Sequence, residues 1–124
     1  MNPAELFALE TDPIRLAAGE VLFNEGDAPD AMYVLLEGEL EIRVSGIVVE
    51  EAVRGAVIGE MALIDPSPRS ATVVARQASI LAKLDSARFQ RIIKINPFFA
   101  LHLMKVLVER LRNTGKILKE KKIT

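Results

Sequence analysis

The sequence contains no cysteine and no tryptophan, and His102 is its one histidine. Without cysteine the chain has no thiol nucleophile, no zinc–thiolate site and no disulfide framework. One histidine cannot assemble the common metal sites, and no carboxylate–histidine cluster of the kind that hydrolases use is apparent. We therefore expect a protein that is not an enzyme and that holds neither a metal ion nor a cofactor.

The chain also lacks a charge excess and a long apolar run. Its 16 basic and 17 acidic residues nearly cancel, so no net field attracts it to nucleic acid or to an anionic membrane. The most apolar stretch, residues 98–108, contains His102 and Lys105 and is too short to cross a bilayer. The N-terminus does not read as a signal peptide. We expect a cytoplasmic chain without membrane insertion, and a single domain over residues 1–124.

The pattern of residues 13–85 is that of β-structure. Leu40, Ile42 and Val44 alternate with polar residues, which predicts a strand with one buried face. Residues 80–84 repeat this alternation. A second kind of strand, covered on both faces, is predicted where apolar and β-branched residues are denser, at 32–36 and 70–75.

Turn residues separate these segments at short, regular intervals, chiefly Gly19, Gly26, Gly38, Gly46, Gly55 and Gly59. Many short strands at this spacing are typical of a sandwich, a roll or a barrel. No strand is followed by a helix long enough for a parallel crossover, which argues against a doubly wound α/β fold. We predict a mainly β fold with flanking helices.

After Asp85 the apolar period becomes helical. Ser86 is predicted to cap a short helix through Ile93, and Asn96-Pro97 to begin a long helix that continues to about Lys122. The C-terminal helices thus cover about 86–122. The apolar stripe expected to pack the long helix comprises Ala100, Met104, Leu107, Leu111 and Leu118, and it is broadened by Phe99, Leu103, Val106 and Ile117.

Residues 57–72 carry the strongest functional signal. Gly59 permits a tight turn at the end of a strand, and a short helix starting near Glu60 would expose N–H groups suited to an anion. Arg69 follows a proline-bearing loop and adds a planar donor fork that matches phosphate. The Glu60 carboxylate lies in an apolar run and needs a donor if buried, a role that a sugar hydroxyl would fill.

This segment resembles the phosphate-binding cassette of cyclic nucleotide-binding domains: Gly-Glu-x-Ala-Leu at 59–63, a short loop, then Pro-Arg-Ser-Ala-Thr at 68–72. That family includes catabolite-activator-type regulators, protein kinase A regulatory subunits and cyclic-nucleotide-gated channels. Residues 19–27 and 32–38 resemble its early strands and turns. The resemblance implies a jelly-roll-like β-roll (a double-stranded β-helix) followed by a long C-terminal α-helix, with cAMP or cGMP as ligand.

By the same resemblance, Arg69 would pair with the exocyclic phosphate oxygens and Glu60 would accept the ribose 2′-hydroxyl. Gly59 would allow close approach of the sugar to the backbone. The Ser70 hydroxyl could reach both the phosphate and a guanine edge, so cGMP is tolerated but not demanded. The backbone N–H groups expected to cradle the phosphate are those of Met61, Ala62 and Ser70.

The base end of the site is expected on the long helix. Residues 110–114 resemble the stretch in catabolite-activator-type proteins where a threonine touches adenine, so Thr114 is the first candidate for base contact. Leu111 or Arg110 would pack over the ring. A threonine on a helix can equally be half-exposed without contacting a ligand.

Three readings of the function remain open at this stage. We expect a cyclic nucleotide sensor that signals through movement of its C-terminal helix to a protein effector, or through a homodimer along that helix. A ligand-free adaptor of the same fold is the alternative, and an enzyme such as a nucleotide phosphodiesterase is the second rival, against which the one histidine and the absence of cysteine argue. Without a ligand, Arg69 and Glu60 would be explained by an intrachain salt bridge or by solvated loop charges. We expect no DNA binding, because the sequence shows no recognition helix after the long helix.

Overall fold

The computed structural model describes residues 1–65 and 67–123, with side chains through residue 113. Eight strands and three α-helices follow each other along this part of the chain, with one 3₁₀ helix at the cassette. In order they are α1 (Pro3–Leu6), β1 (Ile14–Leu16), β2 (Val21–Phe23), β3 (Met32–Glu37), β4 (Leu40–Val44), β5 (Ile47–Ala52), β6 (Val57–Ile58), the 3₁₀ helix (Glu60–Leu63), β7 (Thr72–Ala75), β8 (Ser79–Leu84), α2 (Ser86–Ile95) and α3 (Phe98–Ile123).

The strands form two four-stranded sheets. One has the order β1-β8-β3-β6 and the other β2-β7-β4-β5, and every neighbouring pair is antiparallel. With α2 and the long α3 after the last strand, this is the predicted mainly β roll followed by a C-terminal helix, and the fold prediction is confirmed.

The core has two layers because β3 is buried on both faces, as its dense apolar sequence predicts. Tyr33 and Leu35 lie between the two sheets, whereas Met32 and Val34 face the helices. The prediction of one buried face for residues 80–84 is wrong. Leu81 packs between the sheets while Ala82 and Leu84 pack under the helices, since β8 is an interior strand with α2 and α3 on its outer side.

Helix α2 begins one residue earlier than the predicted cap implies. The N-cap is Asp85, whose Oδ1 accepts the backbone N–H of Arg88 at 2.8 Å, so Ser86 is the first helical residue. An ionised carboxylate at this position also interacts favourably with the helix dipole. The helix continues to Ile95.

Helix α3 packs through only one edge of the predicted stripe. Its buried side chains are Phe99 and Leu103, whereas Met104 and Leu111 are 59% and 72% exposed. Phe99 sets this rotation, because its ring packs edge-on against Phe7 with centroids 6.0 Å apart. The prediction included Phe99 and Leu103 as the margin of the stripe but centred it on the wrong residues. In residues 1–65 and 67–123, no helix is long and apolar enough to span a membrane.

Candidate ligand-binding site

A cavity of about 420 Å³ opens between the cassette, the β4–β5 hairpin and the start of the second half of α3. This volume lies in the usual range of small-molecule sites, roughly 300–1,000 Å³. Its floor is apolar and comes from both sheets, while its polar groups come from the cassette, β5 and α3. The apolar floor comprises Phe23, Ile42, Ile58 and Val73, and the outer apolar wall comprises Val44 and Val49.

The backbone of Arg69 is held in place by the turn that follows β2. The N–H of Arg69 donates to the Asp27 carbonyl and the Arg69 carbonyl accepts from Gly26 N–H, each at 2.8 Å. Nearby, the N–H of Glu25 donates to Thr72 Oγ1 at 2.9 Å. These contacts fix the start of β7, so the arginine side chain leaves the backbone at a defined point beside the cavity.

The Arg69 guanidinium is buried in the cavity wall, with the residue only 7% exposed. Nη2 donates to the Ala31 carbonyl at 2.6 Å and to Asp30 Oδ1 at 3.2 Å, and Nη1 donates to the Gly59 carbonyl at 3.2 Å. The guanidinium carbon lies 4.0 Å from the centre of the Phe23 ring, a cation–π contact.

One donor of this guanidinium has no partner. Among the residues that the structure describes, Nε of Arg69 is buried and makes no hydrogen bond. A buried N–H without an acceptor is costly and rare in folded proteins. Arg69, a residue that lines the cavity, therefore keeps one donor for which the described residues supply no acceptor.

Gly59 is required by two features of the site. Its φ of 69° lies in the left-handed region, which costs an L-residue roughly 1–2 kcal/mol. A Cβ there would also lie 2.4 Å from Nη1 of Arg69. Any side chain at this position would therefore push the guanidinium away from the cassette.

One of the backbone N–H groups predicted to bind the phosphate is hydrogen-bonded within the 3₁₀ helix that follows Gly59. The N–H of Ala62 donates to the Gly59 carbonyl at 3.1 Å. In this conformation Ala62 therefore does not offer a free N–H group, contrary to the expectation from the sequence. The expected role of the other two cradle residues, Met61 and Ser70, stays a prediction, and both line the cavity.

Glu60 is buried and is paired with an arginine from the C-terminal helix. The residue is 3% exposed, and its carboxylate accepts a hydrogen bond from Nη1 of Arg110. Nη2 of Arg110 donates to the Val57 carbonyl at 3.1 Å and lies 3.7 Å from Glu50 Oε1. Burial alone would lower the pKa of Arg110, but the Glu60 and Glu50 carboxylates outweigh it and raise that pKa above its ordinary value. The helix is thus tied to the cassette by a permanent ion pair.

The structure brings together most of the residues singled out in the sequence. The cavity is lined by Gly59, Glu60, Met61, Ala62, Arg69, Ser70 and Arg110. Arg110 lies against Glu60, and its expected packing over the base stays a prediction. Leu111 is 72% exposed and is not among the residues that line the cavity, and its expected base contact likewise stays a prediction. The Thr114 side chain lies outside the described residues.

The alternative explanations of the two charged residues can now be compared with the geometry. Arg69 and Glu60 are not solvated loop charges, because both are buried. Each does form an intrachain ion pair, but with Asp30 and Arg110 and not with each other. Asp30, Phe23 and Glu50 belong to the site and were missed by the sequence reasoning. Asp30 and Phe23 lie 39 and 46 positions before Arg69, and no local motif links them to it.

The fold and the cavity define a class of protein: a β-roll domain whose cavity combines a buried arginine, a buried glutamate and a C-terminal helix that contacts the glutamate. The family model of the cyclic nucleotide-binding domain matches residues 13–96. The chain belongs to that family.

Relatives of known activity or structure are consistent with this assignment. The chain is 43% identical over 86 residues to the cAMP-dependent protein kinase regulatory subunit of Emericella nidulans, covering 66% of this chain and 20% of that protein. It superposes on the Thermus thermophilus catabolite activator protein with a TM-score of 0.81 at 25% identity, covering 94% of this chain and 57% of the other. The cGMP-bound form of the EAL enzyme Bd1971 superposes with a TM-score of 0.64 at 30% identity, and the match covers 90% of this chain and 32% of that enzyme.

The chain spans about a fifth of the length of the kinase regulatory subunit that it resembles. What the chain shares with these longer proteins is the domain, and their remaining activities do not transfer with it.

Proposed function

We propose that this chain binds a cyclic nucleotide, cAMP or cGMP, as a regulatory module and performs no chemistry on it. The observation that supports the proposal most directly is that Arg69 lines the cavity and that its buried Nε has no hydrogen-bond partner among the described residues. The edge of a guanidinium formed by Nε–H and a neighbouring Nη–H can donate two parallel hydrogen bonds to two phosphate oxygens. Glu60 lies beside it with an acceptor for the ribose 2′-hydroxyl, and Ser70 lines the same end.

The proposed signal passes from the cassette to the C-terminal helix by two routes. Arg110 of α3 is hydrogen-bonded to Glu60, so a ribose that shares the carboxylate changes the restraint on the helix. Leu63, the last residue of the cassette helix, packs on the apolar cluster that contains Phe99 of α3. The ligand shifts the helix to the extent that it binds one helix position more tightly than another.

A thermal-shift titration with cAMP, cGMP and linear 5′-AMP tests the proposal. A ligand that binds only the folded state raises the free energy of unfolding by about 2.7 kcal/mol at 100 times its Kd. We expect a rising melting temperature with at least one cyclic nucleotide, and a much smaller rise with 5′-AMP. No shift with either cyclic nucleotide would contradict the proposal and favour the ligand-free adaptor of the same fold.

We also propose that a second copy of the chain covers the exposed face of α3. Leu101, Met104, Val108 and Leu111 are 59%, 59%, 44% and 72% exposed. Their spacing of three, four and three residues is that of a coiled-coil seam, which favours another helix as the partner.

Light scattering tests this contact. The parent chain is expected to have the mass of two chains, and the Met104→Glu, Val108→Glu double variant the mass of one. A parent that stays at the mass of one chain at every concentration would contradict the dimer and leave a protein effector as the partner of this face.

A further inference from the structure

The inner face of the β4–β5 hairpin carries one acidic residue among apolar ones. Glu50 is paired with Ile42, and residues directly opposite each other in a sheet point to the same side. Ile42 faces the cavity, and Glu50 lines it too. A carboxylate is unusual at an inward register position among apolar residues, and Glu50 is tolerated there because its side chain stays 48% exposed.

A β-bulge explains how Glu50 reaches this position. The register shifts between Ile42, which pairs with Glu50, and Arg43, which pairs with Val48, so Val49 has no partner of its own. In a regular strand, successive side chains point to opposite faces. Here both Val49 and Glu50 line the cavity, because a bulge re-aims the side chains around it.

Glu50 lines the cavity from the β4–β5 hairpin, whereas the proposed phosphate and ribose contacts lie on the cassette, so the hairpin is the side of the cavity left for the base. The apolar side chains of Ile42, Val44 and Val49 and the Arg110 guanidinium line the cavity with it. The Glu50 side chain is 48% exposed, and its Oε1 lies 3.7 Å from Arg110 Nη2, within ion-pair distance. A carboxylate has about four acceptor sites on its two oxygens, so Glu50 retains acceptor capacity towards the cavity beside its contact with Arg110.

We propose that Glu50 is a specificity-determining residue, which accepts hydrogen bonds from the N–H edge of the purine and favours guanine over adenine. This inference rests on the proposed function. An ionised carboxylate only accepts hydrogen bonds. Guanine presents two adjacent donors, N1–H and the 2-amino group, which match the two oxygens of Glu50. Adenine presents its 6-amino donor beside the N1 acceptor, which repels a carboxylate.

The test compares Kd values of cGMP, cAMP and cIMP for the parent and for Glu50→Gln. Cyclic IMP keeps N1–H but lacks the 2-amino group. We expect the parent to bind cGMP about tenfold more tightly than cIMP, since a hydrogen bond to a charged group has about this effect. Glu50→Gln is expected to lower the preference for cGMP over cAMP by about tenfold or more.

Glu51→Gln is the matched control. Glu51 is the next residue of β5, pairs with Glu41 on the outer face, and binds Arg76 Nη1 at 2.7 Å. Its substitution is expected to leave the nucleotide preference unchanged. Glu50→Ala serves as a second variant and is expected to lose the same preference.

Each outcome decides the inference. A loss of affinity in Glu50→Gln that is large for cGMP and absent for cAMP supports the inference. An equal loss for all three nucleotides would overturn it, because Glu50 would then act only by orienting Arg110. An unchanged preference would overturn it too, while leaving the proposed function intact. A parent that binds none of the nucleotides would refute the proposed function itself, and Glu50 specificity with it.

Discussion

Replacing Arg69 by alanine is expected to weaken the binding of both cAMP and cGMP by at least about 100-fold. Two charge-assisted hydrogen bonds to a phosphate contribute about 1.5–3 kcal/mol each, which together exceed the energy of a 100-fold change. Arg69→Lys retains the charge but not the planar fork, so we expect an intermediate loss. Titration calorimetry on the two variants measures both effects.

The Arg69 side chain also satisfies the carbonyls of Ala31 and Gly59, so its loss affects the fold as well. The unfolding transition of each variant must therefore be measured beside its affinity, under conditions where the folded state dominates. Arg76→Ala is the control, because Arg76 is exposed and pairs with Glu51 outside the cavity. Affinity that survived in Arg69→Ala would refute the assignment of the phosphate site.

Replacing Arg110 by alanine is expected to lower the free energy of unfolding by about 3 kcal/mol. The Glu60 side chain is 4% exposed, so the variant leaves a buried carboxylate without its cation. Breaking a buried ion pair in this way typically costs about 3–5 kcal/mol. We expect the lower end of that range because the Arg110 side chain is 33% exposed. Urea denaturation curves provide the measurement.

Two further variants separate the ion pair from other effects. Arg112→Ala makes the same change in helix propensity at an exposed position of α3 and should be nearly neutral. Adding Glu60→Gln to Arg110→Ala should restore part of the stability, because a neutral amide does not need the missing cation. A loss below about 1 kcal/mol for Arg110→Ala would show that the pair does not tie the helix to the cassette.

The cassette end of the site could be predicted because its residues are contiguous in the sequence. Gly59, Glu60, Arg69 and Ser70 lie within twelve positions, and the turn at Gly59 brings them to one end of the cavity. The mainly β class was predictable for a similar reason, since alternation and regular turn residues are local signals, whereas the β-roll itself was implied by the resemblance of the cassette.

The partners of these residues could not be predicted. Asp30 meets Arg69 from 39 positions away, and Arg110 meets Glu60 from 50 positions away. Such contacts depend on how β3 and α3 are placed, which no local pattern specifies. Helix α3 illustrates the difficulty, because its apolar stripe is broad and the sequence reasoning centred it on Met104 and Leu111 when Phe99 and Leu103 are the buried side chains.

Glu50 shows how a single irregularity overturns a register argument. The two-residue turn Ser45-Gly46, with φ values of 51° and 80°, pairs Val44 with Ile47. If the two strands continued from that pair in regular antiparallel register, Glu50 would lie opposite Glu41 on the outer face. The bulge at Val49 moves it opposite Ile42 on the inner face. Nothing in the sequence marks the bulge, since no glycine stands there.

A crystal structure of the chain grown with cGMP or cAMP tests the central claim most directly. We predict the phosphate within hydrogen-bond distance of Arg69 Nε, the ribose 2′-hydroxyl on the Glu60 carboxylate, and the base between the β4–β5 hairpin and α3. A nucleotide bound elsewhere, or bound in the cavity without contact to Arg69 and Glu60, would contradict the account.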